Sequence, residues 1–170
     1  MARRMRFAMV AVAAAIAGVV AALPAAATAT TQVARIADVD LRGFATASLS
    51  DEFVRMEPRQ NTSLQQWTID ANSPTTGTRV INVGTRGCLG VSPAGPIIEG
   101  SPVVQRTCRN HSSELWRLVV NSADRTVRFV NVYSTLCMTI EPASTTVRPL
   151  LRQYRCSTGA TSQQFRLVTT

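Results

Sequence analysis

Three stretches of this chain end on an aromatic residue at a fixed interval. Gln65-Gln66-Trp67, Glu114-Leu115-Trp116 and Gln163-Gln164-Phe165 set Trp67, Trp116 and Phe165 49 residues apart. Other positions keep the same step: Arg79-Val80-Ile81-Asn82 returns as Arg128-Phe129-Val130-Asn131, Cys88-Leu89 as Cys137-Met138, and Arg117-Leu118-Val119 as Arg166-Leu167-Val168. Self-similarity at a period of this size marks one supersecondary unit used several times, each too small to bury its apolar face alone. Trp67, Trp116 and Phe165, flanked by apolar runs, are therefore expected in a core shared by the units.

The units are counted in the chain that follows residue 29. Arg3, Arg4 and Arg6 precede an apolar run from Phe7 to Leu23, and Ala25-Ala26-Ala27 or Ala27-Thr28-Ala29 offers a small-x-small cleavage pattern. These features read as a secretory signal over residues 1–29, with the mature chain beginning between Thr28 and Thr30. A retained anchor is the other reading of the run, but at 17 residues it is short for a membrane span, so no membrane association is expected after cleavage. Residues 30–170 then form one domain of three units, about 30–72, 73–121 and 122–170. Cleavage removes three arginines and no acid, which lowers the formal charge from +8 to +5. With no lysine and much alanine, valine and threonine, the composition is that of a GC-rich, bacterial coding sequence.

Four cysteines in an exported chain imply two disulfides, and spacing alone leaves three connectivities open. The repeat favours bridges inside units, Cys88 to Cys108 and Cys137 to Cys156, 20 and 19 residues apart. At the 49-residue step their counterparts in the first unit are Val39 and Arg59, so that unit carries no bridge. A metal site is the rival use of cysteines, but no C-x-x-C occurs and His111 is the sole histidine, so no metal or cofactor is expected.

Short β-branched or aromatic runs, among them 79–83, 116–120, 126–130 and 165–168, alternate with turn signals such as Asn72-Ser73-Pro74, Gly84-Thr85-Arg86-Gly87 and Pro93-Ala94-Gly95-Pro96. The spacing is too tight for ordinary helices, and it predicts an all-β chain with about four strands per unit. Three such units closing into a barrel with a hairpin cap would leave no open sheet edges. Asn82 and Asn131, beside their turns, are expected to bond turn backbone.

The order Arg79-Val80-Ile81-Asn82, Cys88-Leu89, a Gly/Pro-rich turn, Val103-Val104-Gln105, Cys108 and Glu114-Leu115-Trp116, repeated from Arg128 to Phe165, resembles the ricin-type (ricin B-like) lectin β-trefoil. The first unit shares mainly Phe53-Val54-Arg55-Met56 and Gln65-Gln66-Trp67. The resemblance implies a β-trefoil and a shallow sugar pocket on each unit. In that pattern an aspartate two residues after the first cysteine accepts hydroxyl hydrogen bonds, an aromatic two before the second cysteine stacks on the sugar, and an asparagine and a glutamine support them. This chain departs from it. The second unit has Gly90, Arg106 and Ser113 at the acid, aromatic and asparagine positions, which reads as a lost site. In the first unit Asp38 and Asp40 fall near the acid position, with Glu57 and Leu64 at the others. The third unit has Thr139 for the acid and Ser162 for the asparagine but keeps Tyr154 and Gln163, and Glu141 lies close to the same loop. Tyr154, Gln163, Thr139 and Glu141 are the expected carbohydrate contacts, for a galactose-type or xylan-type sugar.

The resulting expectation is a secreted, lectin-like carbohydrate-binding module with partly degenerate sites. The alternative is a trefoil whose loops bind a protein, as an inhibitor or interaction module. Catalysis is not expected, because one histidine, scattered acids and bridged cysteines leave no nucleophile with a base and no paired carboxylates. Nor is nucleic-acid binding, since the arginines are spread singly rather than gathered in a stripe with stacking aromatics.

Overall fold

The computed structural model describes residues 31–70, 76–92, 97–141 and 148–170. The proposed signal segment and the turns at Asn72-Ser73-Pro74 and Pro93-Ala94-Gly95-Pro96 lie outside the described residues. Among the described residues the elements are strands β1 (Thr31–Asp38), β2 (Phe44–Thr46), β3 (Arg55–Glu57), β4 (Trp67–Asp70), β5 (Thr78–Asn82), β6 (Cys88–Val91), β7 (Val103–Arg106), β8 (Leu115–Asn121), β9 (Thr126–Asn131), β10 (Cys137–Ile140), β11 (Leu151–Tyr154) and β12 (Phe165–Thr169), with single 3-10 turns at Ser63–Gln65, Ser112–Glu114 and Thr161–Gln163.

Six strands form a closed ring: β1 pairs with β4, β4 with β5, β5 with β8, β8 with β9, β9 with β12, and β12 with β1, all antiparallel. The first and last strands meet over five residue pairs, from Ala34 opposite Thr169 to Asp38 opposite Phe165. Closure leaves no free edge in the barrel. The hairpins β2–β3, β6–β7 and β10–β11 cap it. Neighbouring hairpins hold one another by a threefold set of backbone bonds, in which Met56 N–H donates to Pro149 O (2.8 Å), Gln105 N–H to Glu52 O (2.7 Å) and Gln153 N–H to Ser101 O (2.9 Å). Val54, Val103 and Leu151, two residues before each of these donors, are wholly buried.

Trp67, Trp116 and Phe165 are fully buried in one cluster with Ile36, Leu89, Phe129 and Met138. Phe129 meets Trp116 and Phe165 edge to face, at centroid distances of 6.4 and 5.8 Å. Each indole also ties the barrel to its cap, since Trp67 Nε1–H donates to Ala45 O at 2.9 Å and Trp116 Nε1–H to Leu89 O at 2.8 Å. Both disulfides join the expected partners, Cys88 to Cys108 and Cys137 to Cys156.

The first unit's register differs from the 49-residue step. Trp67 reaches Ala45 as Trp116 reaches Leu89, and Phe44 faces Glu57 as Cys88 faces Arg106. The counterpart of Cys88 is therefore Phe44, not Val39. The cause is a shorter hairpin: 13 residues separate Phe44 from Glu57, whereas 18 separate Cys88 from Arg106. Asp38 is thereby the counterpart of Asn82 and Asn131 rather than a sugar-binding acid. Its carboxylate accepts the N–H groups of Arg42 (2.9 Å) and Gly43 (2.8 Å), as the Asn82 and Asn131 side-chain oxygens accept turn N–H groups at 3.0–3.1 Å. The asparagines do more, because Asn82 Nδ2–H donates to Leu64 O and Asn131 Nδ2–H to Ser113 O, each 2.9 Å away in the 3-10 turn of the preceding unit.

The Cys137–Cys156 bridge closes a loop of about 20 residues, so replacing both cysteines by alanine is expected to cost about 2–5 kcal/mol. Urea unfolding of the double variant checks this. A midpoint equal to the parent's would contradict a stabilising bridge.

Candidate functional site

Each cap hairpin turns one face outward, and the 3-10 turn before the terminal aromatic lies against that face. In the third unit Cys137 pairs with Tyr154 and Thr139 with Arg152, so these four side chains share the outer face while Met138, Leu151 and Gln153 point to the core. The structure brings Thr139 and Gln163 together but buries both, at 5% and 3% exposure. Gln163 Nε2–H donates to Thr139 Oγ1 (3.2 Å) and Arg155 O (2.8 Å), while its Oε1 accepts the Ser157 N–H (2.9 Å). Thr139 Oγ1–H donates to Cys137 O at 3.0 Å. Their polar atoms thus already hold the turn against the hairpin. Glu141 accepts from Arg152 Nε–H at 2.8 Å, and Arg152 Nη1–H donates to Gly100 O at 2.8 Å. Tyr154 is half-buried, its hydroxyl beside Gly100 of the neighbouring unit. Gly100 has φ of +84°, and a Cβ there would stand 3.4 Å from that hydroxyl. Tyr154, Arg152 and Glu141 are the expected or adjacent groups that remain within reach of a ligand.

The first unit repeats the internal arrangement. Gln65 Nε2–H donates to Thr46 Oγ1 and to Pro58 O, both at 2.9 Å, and Gln65 Oε1 accepts the Gln60 N–H at 2.7 Å. Thr46 stands where Thr139 stands. Outside it lies an open groove of about 490 Å³, lined by Ser48, Asp51, Arg55, Glu57 and Arg148 among others. Its charges are paired: Arg55 with Asp51 at 2.9 Å and Arg148 with Glu57 at 3.3 Å. The Arg55 hydrogen bonds hold the Asp51 carboxyl below the usual carboxylate range.

The second unit, read from the pattern as a lost site, holds a cleft of about 370 Å³. Gly90 and Glu114 replace the threonine and glutamine of the other units. Without a side chain at Gly90 the turn sits close, and a Cβ there would be 2.8 Å from Ser113 O. The Glu114 carboxylate takes two contacts from the Arg109 N–H, at 2.7 and 3.0 Å, with Arg79 Nε 4.0 Å away. Arg106, opposite Cys88 where Tyr154 stands opposite Cys137, reaches across to the first unit and grips Glu52 with Nε–H and Nη2–H at 2.6 and 2.8 Å. Those bonds hold the Glu52 carboxyl below its ordinary range. His111 and Arg109 also line the cleft. In the sequence a glycine there reads as a lost ligand, whereas in space it lets the Ser112–Glu114 turn close onto the hairpin beside the cleft.

A closed six-stranded barrel capped by three hairpins, with a threefold set of bonds between the hairpins, is a β-trefoil. The family model described as ricin-type beta-trefoil lectin domain-like matches residues 63–147, half of the 170-residue chain, and the protein belongs to that family. No curated protein matches the chain in sequence. Among solved structures, the designed threefold-symmetric protein ThreeFoil is similar at a TM-score of 0.71 and 24% identity, over 81% of this chain and 99% of its own. The Macrolepiota procera ricin B-like lectin, solved with lactose, aligns at 0.68 and 15% identity over 82% and 96%. The Polyporus squamosus lectin, solved with a human-type influenza-binding epitope, aligns at 0.69 and 12% identity over 82% and 49%.

Because the folded state lowers the Glu52 pKa, the Glu52–Arg106 pair adds stability above the unfolded-chain carboxylate pKa, and that stability is lost as pH falls through the lower folded value. Both side chains are about 40% exposed (41% and 40%), so screening limits the pair to less than about 1 kcal/mol. Urea unfolding should find Glu52→Gln less stable than the parent at pH 7 in low salt. The difference should vanish well below pH ~4 and shrink in ~1 M salt. A difference independent of pH and salt would contradict the ionic account.

Proposed function

We propose that the chain is a secreted, non-catalytic carbohydrate-binding module with partly degenerate sugar sites, the third unit keeping a site for a galactose-type or xylan-type sugar. The observation that carries this reading is Tyr154: of three equivalent outer-face positions, Glu57, Arg106 and Tyr154, the third alone offers a ring. A flat ring covers the apolar C–H face of a sugar, and the Glu141 carboxylate, oriented by Arg152 two residues from Tyr154 on the same strand face, can accept hydroxyl hydrogen bonds. Thr139 and Gln163 act from beneath, setting the turn that forms the wall. Family membership supports the reading, as does lactose in the Macrolepiota procera lectin. The two disulfides fit an oxidising, extracellular location.

One observation favours a second reading, in which the loops bind a protein. Leu49 in the β2–β3 loop and Ile97 and Ile98 in the β6–β7 loop are 81%, 51% and 54% exposed.

With one ring and the acid position occupied by a buried threonine, a monosaccharide should bind at about millimolar strength, near −4 kcal/mol. Calorimetry with galactose-type and xylan-type sugars is expected to show this binding in the parent and its loss in Tyr154→Ala. Equal binding by the variant moves the site elsewhere, and no binding by the parent at tens of millimolar (roughly tenfold above that constant) favours the protein-binding reading. N-terminal sequencing of exported material should start between Thr28 and Thr30, and a start at Met1 would contradict secretion by cleavage.

A further inference from the structure

The second unit's cleft has the opposite chemistry to a carboxylate-based sugar pocket. Its floor is apolar, from Gly90 and Val104, and its volume of about 370 Å³ lies within the range of small-molecule sites, about 300–1,000 Å³. Of its charged groups, two are already compensated. Arg106 is gripped by Glu52, and Glu114 takes the Arg109 N–H on both oxygens with Arg79 nearby. Arg109 is left over: its guanidinium is exposed and makes no hydrogen bond or ion pair with the described residues. His111 adds a donor. Its Nδ1 accepts the Ser113 N–H at 3.1 Å, so the neutral ring carries its proton on Nε2, and Tyr133 packs against the ring at 5.4 Å. The uncommitted side-chain groups on this wall are therefore the Arg109 and His111 N–H donors, the first with a net positive charge, and the Thr107 hydroxyl. A guanidinium presents a planar fork that matches a carboxylate with two parallel bonds.

We propose that this cleft binds the carboxylate of an acidic saccharide such as a uronic acid, with Arg109 as the principal partner, His111 as a second donor and the Gly90–Val104 floor beneath the sugar ring. The proposal rests on the carbohydrate-binding reading, but it concerns a different unit and a different class of sugar from the neutral one assigned to Tyr154.

Chemical-shift titration of the isotopically labelled protein with galacturonate, galactose and acetate separates the two. Galacturonate is expected to shift amides of residues 88–91 and 104–114, which galactose leaves unmoved, and Arg109→Gln is expected to weaken that binding about tenfold. Gly90→Thr, whose side chain would meet Ser113 O and displace the turn that walls the cleft, is expected to abolish it. Should Gly90→Thr fail to fold, Arg109→Gln decides alone, since the Arg109 side chain holds nothing in the fold. Galacturonate shifts absent from these residues, or unchanged affinity in Arg109→Gln, would overturn the proposal. Equal affinity for acetate would also overturn it, by showing an anion site that does not read the sugar. Galactose shifts confined to residues 137–141 and 151–154 would leave the neutral-sugar reading standing whatever happens at Arg109, and their absence would count against that reading alone.

Discussion

A three-residue motif, glutamine or glutamate followed two positions later by an aromatic, fastens each hairpin to the barrel. In the first unit Trp67 donates to the carbonyl of Ala45 from below while Gln65 donates to the hydroxyl of Thr46 from outside, so consecutive residues of β2 are held on both faces. The inner contact sits in the core, where an unpaired indole N–H would cost about 1–3 kcal/mol. The outer contact sets the wall of the cleft. Asn82 and Asn131 then bond the 3-10 turn of the unit before them, which carries the constraint from one unit to the next. The hairpin positions, and therefore the clefts, follow from these few bonds.

A fixed frame lets single substitutions set the chemistry of each cleft. Where a threonine faces the glutamine, as at Thr46 with Gln65 and Thr139 with Gln163, the space beneath the turn is filled and the polar atoms satisfy one another. Where Gly90 faces Glu114, the turn closes onto the hairpin, and Arg106 and Arg109 line the cleft beside it. The disulfides stand at the foot of the second and third hairpins, and Phe44 occupies the corresponding place in the first, buried at 3% exposure. An apolar side chain and a covalent bridge thus serve alternately at one position.

Much of this was legible in the sequence because it depends on periodicity. The 49-residue step located the buried aromatics, the in-unit bridges and the turn asparagines, all of which recur as residue types. What was not legible depends on volume and on insertions. A constant step could not register the shorter β2–β3 hairpin, so Val39 was matched to Cys88 in place of Phe44, and Asp38 was read beside a sugar position although it holds a turn. Thr139 and Gln163 were read as ligand contacts because polar residues at pattern positions look alike whether they face water or one another; here they face one another. Gly90 reads in the sequence only as a lost acid, and the 2.8 Å between a Cβ there and Ser113 O shows why a glycine stands there.

The central claim is that the motif glutamine or glutamate, through its side chain, holds the loop that walls each cleft. Amide hydrogen exchange measured by NMR tests it most directly, because the Gln60 and Ser157 N–H groups have side-chain oxygens, Gln65 Oε1 and Gln163 Oε1, as acceptors. Both amides should be protected in the parent, and Gln163→Ala should release Ser157 while Gln60 stays protected. Rapid exchange of both in the parent, or continued protection of Ser157 in Gln163→Ala, would contradict the account.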